Sequence, residues 1–125
     1  MAKRRILVVD DTETVLMFQK LSLGPEYDYD TAKNGLKALE VARVRKPDLI
    51  LLDLEMPEMD GLAFLRQLRE DSALEDVPVI VCTTKNTPTH VKAAFDAGCS
   101  EFCAKPIDRI DLGKKVRRLL GEKRG

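Results

Sequence analysis

Residues 49–61 read LILLDLEMPEMDG. Four aliphatic residues run without polar alternation into Asp53, and Glu55, Glu58 and Asp60 follow before Gly61. A continuous Leu/Ile run of strand length is the mark of a strand covered on both faces, as in a parallel sheet, rather than of a strand with one wet side. An ionised carboxylate is costly to bury unless something compensates it. The stretch therefore makes two demands: helices on both faces of the strand, and a partner for the charge at its end.

The same pattern recurs along the chain. Ile6–Val9 runs into Asp10 and Asp11, Val79–Cys82 into Thr83 and Thr84, and Glu101–Ala104 into Lys105 and Pro106. Tyr27–Ala32 (YDYDTA) alternates instead, with Tyr27, Tyr29 and Thr31 on one side and Asp28 and Asp30 on the other, which suits an edge strand with one solvated face. Helical stretches separate these runs. Thr12–Leu23 carries Val15, Leu16, Phe18, Leu21 and Leu23 in a blurred period. Asn34-Gly35 opens a helix reaching about Arg45 and stopped by Pro47; Gly61 opens one with Leu62, Leu65 and Leu68. A fourth follows Pro88 and ends at Ala97-Gly98. The fifth has Asp108 as N-cap, a stripe of Leu112, Val116, Leu119 and Leu120, and Gly121 at its end. Five β-α units in alternation predict an α/β fold, a parallel sheet with helices on both faces and right-handed crossovers.

The 125 residues suffice for one domain with its own core. Lys plus Arg and Asp plus Glu are 21 each, so no net basic charge draws the chain directly to nucleic acid. Cys82, Cys99 and Cys103 fit no zinc spacing and read as reduced core residues. The N-terminus, MAKRRILVVDD, has too short an apolar run for a signal peptide or a membrane span. A soluble cytoplasmic protein is expected, with no membrane partner.

In open parallel sheets ligands bind beyond the carboxyl ends of the strands. Asp10, Asp11, Asp53, Thr83 and Lys105 all follow strands and are expected on one rim. Taken singly, Asp10 and Asp11 read equally well as helix caps. Together with Asp53 they make a cluster of repelling carboxylates, which a hard divalent cation relieves. Magnesium suits oxygen donors and commonly completes its shell with phosphate, and manganese is a chemically close substitute. Lys105 opposite the acids can pair with Asp53 or with an anion on it, and the Thr83 hydroxyl can donate to a phosphoryl oxygen. The set fits phosphoryl transfer, with Asp53 as the nucleophilic carboxylate.

With these residues in place, the chain resembles the bacterial response regulator receiver domain. The resemblance runs from about Arg4 to Leu120 and rests on VVDD at 8–11, LLDLEMPEMDG at 51–61, VCTT at 81–84 and AGCSEFCAKP at 97–106. Thr83 follows Asp53 by 30 residues and Lys105 follows it by 52, as in the family. The resemblance implies a flavodoxin-like sheet of order 2-1-3-4-5, a receiver domain over 1–121 and a short basic tail over 122–125. It implies that Asp53 accepts a phosphoryl group from a histidine kinase or histidine phosphotransfer protein. It also implies that Asp11 binds magnesium directly, Asp10 mainly through water, and the backbone carbonyl of Glu55 as a further ligand. Thr83 and Lys105 would contact the phosphoryl group, and Phe102 would be the switch aromatic. The Lys105–Pro106 bond would be cis. A surface made of the fourth helix, fifth strand and fifth helix would then control a downstream effector or output domain, the protein being a monomer or a phosphorylation-linked dimer.

The chain departs from the family pattern at a few positions. Phe102 stands where many members have Tyr, and Thr84 where a smaller residue is usual. Glu55 and Lys85 each lie two positions beyond a site residue and are candidates, with Thr84, for tuning phosphoryl lifetime. Plain core packing is the alternative for Phe102, and a solvated face that for the basic residues Lys114, Lys115, Arg117 and Arg118. His90 carries no assigned role. Two other functions compete. One is an aspartyl-phosphate phosphohydrolase, which Glu55 in place of a second aspartate and the lack of a cap insertion disfavour. The other is a degenerate receiver acting as a phosphorylation-independent binding module, which the intact acidic, hydroxyl and lysine set disfavours.

Overall fold

The computed structural model describes residues 3–56 and 59–122. Pro57 and Glu58, which with Gly61 the sequence reads as a turn, and residues 123–125 of the expected tail lie outside the described residues. In chain order the elements are β1 (Arg5–Val9), α1 (Glu13–Leu23), β2 (Asp28–Ala32), α2 (Gly35–Val44), β3 (Leu49–Leu52), α3 (Gly61–Glu70), β4 (Val79–Thr83), α4 (Pro88–Asp96), β5 (Glu101–Ala104) and α5 (Arg109–Leu119). All pairings are parallel and the sheet order is β2-β1-β3-β4-β5. The α/β alternation and the strand order are as expected, with β3 at the centre.

The uninterrupted aliphatic strands divide by residue parity into two cores, because successive side chains point to opposite faces. Leu7, Val9, Ile50, Leu52, Val79 and Val81 pack with α2, α3 and α4 through Leu39, Phe64, Leu65, Leu68 and Ala94. Ile6, Val8, Leu49, Leu51, Ile80 and Cys82 pack with α1 and α5 through Leu16, Leu23, Leu112 and Val116. Each such side chain contributes roughly 1.5–3 kcal/mol on burial, and β3, fully buried along its length, fixes the height at which Asp53 leaves the sheet.

Helix starts follow local chemistry. Asn34, Asp60 and Asp108 accept side-chain caps from the N–H groups of Lys37, Ala63, and both Ile110 and Asp111. Thr12 makes no such side-chain cap for α1; Asp10 Oδ1 instead accepts the Thr12 N–H at 3.0 Å. On α1, Gln19 is buried while Met17, Phe18 and Leu21 are exposed, which is why its sequence period is blurred. On α3 the buried stripe is Gly61, Phe64, Leu65 and Leu68, and Leu62 is only half-buried. The spacing of three predicts Leu62 on the core face, and Phe64 is buried there instead. Glu122, placed by sequence in the tail, accepts a hydrogen bond from the Tyr27 hydroxyl at 2.8 Å. The three cysteines are free and buried. Among the described residues no helix is long and apolar enough to cross a membrane.

Candidate functional site

Backbone pairing places the acidic residues. The Asp53 N–H continues the ladder to the Val9 carbonyl at 2.9 Å, and the Asp10 N–H continues it to Ala32 at 3.0 Å. Both aspartates are thus locked at the carboxyl ends of β3 and β1, with residue exposures of only 7% and 1%. Asp11, one position on, is exposed. An oxygen from each of Asp10, Asp11 and Asp53 lies within 4.8 Å of the others. On the neighbouring strands, the Lys105 N–H donates to the Thr83 carbonyl at 2.9 Å, which ties the ends of β4 and β5 together. The Lys105–Pro106 bond is cis.

The sequence predicts Lys105 beside Asp53 or an anion bound there. The geometry puts the lysine closer to Asp10: its Nζ is 2.7 Å from Asp10 Oδ2 and 3.8 Å from Asp53 Oδ2. Asp10 is therefore satisfied twice, by Lys105 and by the Thr12 N–H. Asp53 has longer contacts, to Lys105 and to the Glu55 N–H at 3.4 Å. Burial pushes the Asp53 carboxyl above the ordinary aspartate range; Lys105 opposes this, Asp10 adds to it, and the Glu55 N–H and Thr83 hydroxyl favour the ionised form.

Three carboxylates facing one lysine leave two negative charges unmatched, which is the charge of one divalent cation. The donors are all oxygen, so the cluster could hold a hard metal ion.

Thr83 is fully buried, and its hydroxyl accepts the Lys85 N–H at 3.1 Å. At the mouth, Glu55 meets both other tuning candidates. The Thr84 hydroxyl donates to Glu55 Oε1 at 3.2 Å, and Lys85 Nζ lies 3.6 Å from Glu55 Oε2. Phe102 is half-buried and packs against the core shared with α3 and α4. His90 contacts Thr87 through Nδ1. Of the basic residues of α5, Lys115 is engaged with Asp111 and the Phe102 carbonyl, and Arg118 pairs with Glu101.

The family model described as the response regulator receiver domain matches residues 6–117. The chain belongs to the response regulator receiver family. Among similar proteins, the receiver is 39% identical over 116 residues to response regulator PleD of Caulobacter vibrioides, covering 92% of this chain and 26% of that protein. It is 31% identical over 120 residues to the polar-differentiation response regulator DivK of Brucella anthropi, covering 95% of this chain and 98% of DivK. The chain thus spans about a quarter of PleD, and half of the Mycobacterium response regulator MprA at 37% identity. A crystal structure of a response regulator from Chloroflexus aurantiacus superposes with a TM-score of 0.92 at 27% identity, covering 97% of this chain and all of that one. The Vibrio cholerae chemotaxis protein CheY4 does so at 0.86 and 28%, covering 94% and 99%. The receiver is a domain of two-component signalling.

Two features of this receiver escaped sequence reading. The first is the preference of Lys105 for Asp10. The second is Gly61: a Cβ there would sit 2.4 Å from the Asp53 carbonyl oxygen and 2.6 Å from Leu54 Cα, so only glycine lets α3 start against the end of β3. A glycine just after an acidic loop was the available signal.

Proposed function

We propose that Asp53 is the phosphoacceptor of a switch loaded from a phosphohistidine on a histidine kinase or a histidine phosphotransfer protein. The observation that carries this is the contrast between the two buried aspartates. Asp10 is committed to short contacts with Lys105 and Thr12, whereas Asp53, held at the end of the central strand, makes only long ones. A carboxylate with a raised pKa is a stronger nucleophile than a fully stabilised one. An Asp53 oxygen forms the new bond to phosphorus as the donor's P–N bond breaks and its electron pair leaves on the imidazole nitrogen.

Asp10, Asp11, Asp53 and the Glu55 backbone carbonyl would hold magnesium, or manganese in its place, which would supply neutralising charge for the transferred group. Lys105 stands 3.8 Å from Asp53 and is suited to bind a phosphoryl oxygen. The Thr83 hydroxyl donates to another. Half-buried Phe102, paired with Val81 two residues before Thr83, turns inward as Thr83 engages the phosphoryl group. The phosphoryl group carries about −1.5 to −2 charge in place of the single charge of the Asp53 carboxylate, and the difference favours one of two arrangements of the α4-β5-α5 surface, which a downstream protein effector or output domain reads. Glu55, bridged to Thr84 and Lys85, covers the mouth and tunes how long the phosphoryl group stays.

The test is incubation with acetyl phosphate and magnesium, followed by acid-stable gel separation of the acyl phosphate. Wild type is expected to be labelled, and Asp53→Ala to give none. Glu55→Ala and Lys85→Ala should label but lose the phosphoryl group at altered rates. Labelling of Asp53→Ala would overturn the assignment, and unchanged decay in both other variants would remove the tuning role.

A further inference from the structure

The phosphoryl-transfer reading leaves one pair of nucleophilic side chains unused. Cys82 on β4 and Cys103 on β5 are direct partners in the parallel register, and both belong to the core facing α1 and α5. Neighbouring strands are spaced about 4.8 Å apart, inside the Cα separation of about 4.4–6.8 Å that a disulfide spans. The register sets both thiols on one face of adjacent strands; contact with Cys103 and burial push the Cys82 thiol up, while the Cys82 thiol, and then Lys115, hold that of Cys103 down. Cys103 is also the more accessible, 5% exposed against 1%, with the Asp111 carboxylate 4.0 Å from its sulfur. Cys99 lies in the core on the other face of the sheet, which separates it from the pair.

We propose that Cys82 and Cys103 are a redox modification site, cross-linked by a hydroperoxide and reopened by thiols. The Cys103 thiolate attacks the peroxide, its sulfur is oxidised to the sulfenic acid, and the O–O bond breaks to release hydroxide or alkoxide. The Cys82 thiol then attacks that sulfur, the S–S bond forms, and the departing hydroxyl leaves as water with the Cys82 proton. A dithiol exchanges through a mixed disulfide to restore both thiols. The bond joins β4 to β5 one residue before Thr83 and two before Lys105, so it restrains the strand ends that serve Asp53 and gives the receiver an oxidant input besides phosphorylation.

The experiment treats the whole purified chain with hydrogen peroxide under native conditions, quenches with an alkylating agent and maps peptides without reduction. The expected product has lost two hydrogens, joins the peptides of Cys82 and Cys103, leaves Cys99 alkylated and reverts with dithiothreitol. Cys82→Ser should stop at a sulfenic acid on Cys103 that dimedone traps, and Cys103→Ser should form no intrachain link. A link to Cys99, or oxidation of Cys103 past the sulfenic acid in wild type without a link, would overturn the proposal. So would thiols that all survive peroxide. In a second arm the cross-linked chain should be labelled by acetyl phosphate several-fold more slowly than the reduced chain, and equal rates would remove the coupling. Absence of labelling in the reduced chain would count against the phosphoacceptor assignment and leave the cross-link standing.

Discussion

The two ends of β1 each gather three aspartates, and the two clusters differ in one respect. At the start of the strand, Asp28, Asp30 and Asp48 face Arg4, Arg5 and Arg45. Arg5 reaches Asp30 at 3.1 Å and Asp28 at 3.7 Å, its N–H donates to Asp48 at 2.7 Å, and Arg4 and Arg45 pair with Asp48 and Asp30 at 3.7 and 3.6 Å. Three acids meet three bases, and the carboxylates remain in contact with water. At the far end, Lys105 is the one cation among the described residues that pairs with Asp10, Asp11 or Asp53, and two of these three acids are buried. A balanced cluster at the surface closes the edge of the fold. An unbalanced one in a buried rim holds unsatisfied charge, and that residue of charge is what a cation or a phosphoryl group can use.

The comparison breaks most readily at Lys105. Lys105→Met in metal-free buffer leaves two buried carboxylates without a cation, and the expected loss is about 3–5 kcal/mol, seen as a lower urea midpoint at unchanged slope. Magnesium should recover part of it. A midpoint that does not move would mean the rim is as well solvated as the other end.

Magnesium itself gives the next effect. At about 100 times its dissociation constant, binding to the native state alone raises stability by about 2.7 kcal/mol. Asp11→Ala should abolish most of that rise in thermal melts, and a variant at the opposite end, such as Asp28→Asn, should keep it.

Asp53→Asn sharpens the same contrast through pH. Burial holds the Asp53 carboxyl above its unfolded value, so the native state binds the proton more tightly and ionisation costs stability as pH rises through the folded-state pKa. Without magnesium the variant should therefore be more stable than wild type at pH 7. Its advantage should fade as pH falls through the raised pKa towards the unfolded value of about 3.9, in urea titrations at a series of pH values. A gain that persists below that range would point to packing rather than charge.

The smallest effect belongs to the balanced end. Asp28→Asn, in a half-exposed pair, should cost no more than about 1 kcal/mol and become silent at high salt.

How legible all this was in the sequence depended on burial. Unbroken runs such as LILL and VIVC admit one reading, because strands covered on both faces have no polar alternation to misplace. They fixed both the fold class and the rim on which Asp10, Asp53 and Thr83 stand. On α1 a buried Gln19 and exposed Met17, Phe18 and Leu21 reverse the usual code, so periodicity gave a weak signal there. The choice of Lys105 for Asp10 over Asp53 turns on about 1 Å between strands remote in sequence, and no spacing rule carries that. The arginine–aspartate network was equally hidden, since each residue alone reads as a solvated charge.

The glycine at position 61 has a consequence for what the chain can absorb by insertion and deletion. Its N–H is bonded to the Leu54 carbonyl, and Gly35 at the start of α2 is bonded to the Met59 carbonyl, each at 3.0 Å. A Cβ on Gly35 would fall 2.4 Å from that same Met59 oxygen. The segment after Asp53 is thus clasped at both ends by backbone, independently of its side chains. A single added or lost residue between these two contacts would pull Met59 off α2 or shift α3 against the end of β3, so the backbone sets the length of the loop whatever its side chains do.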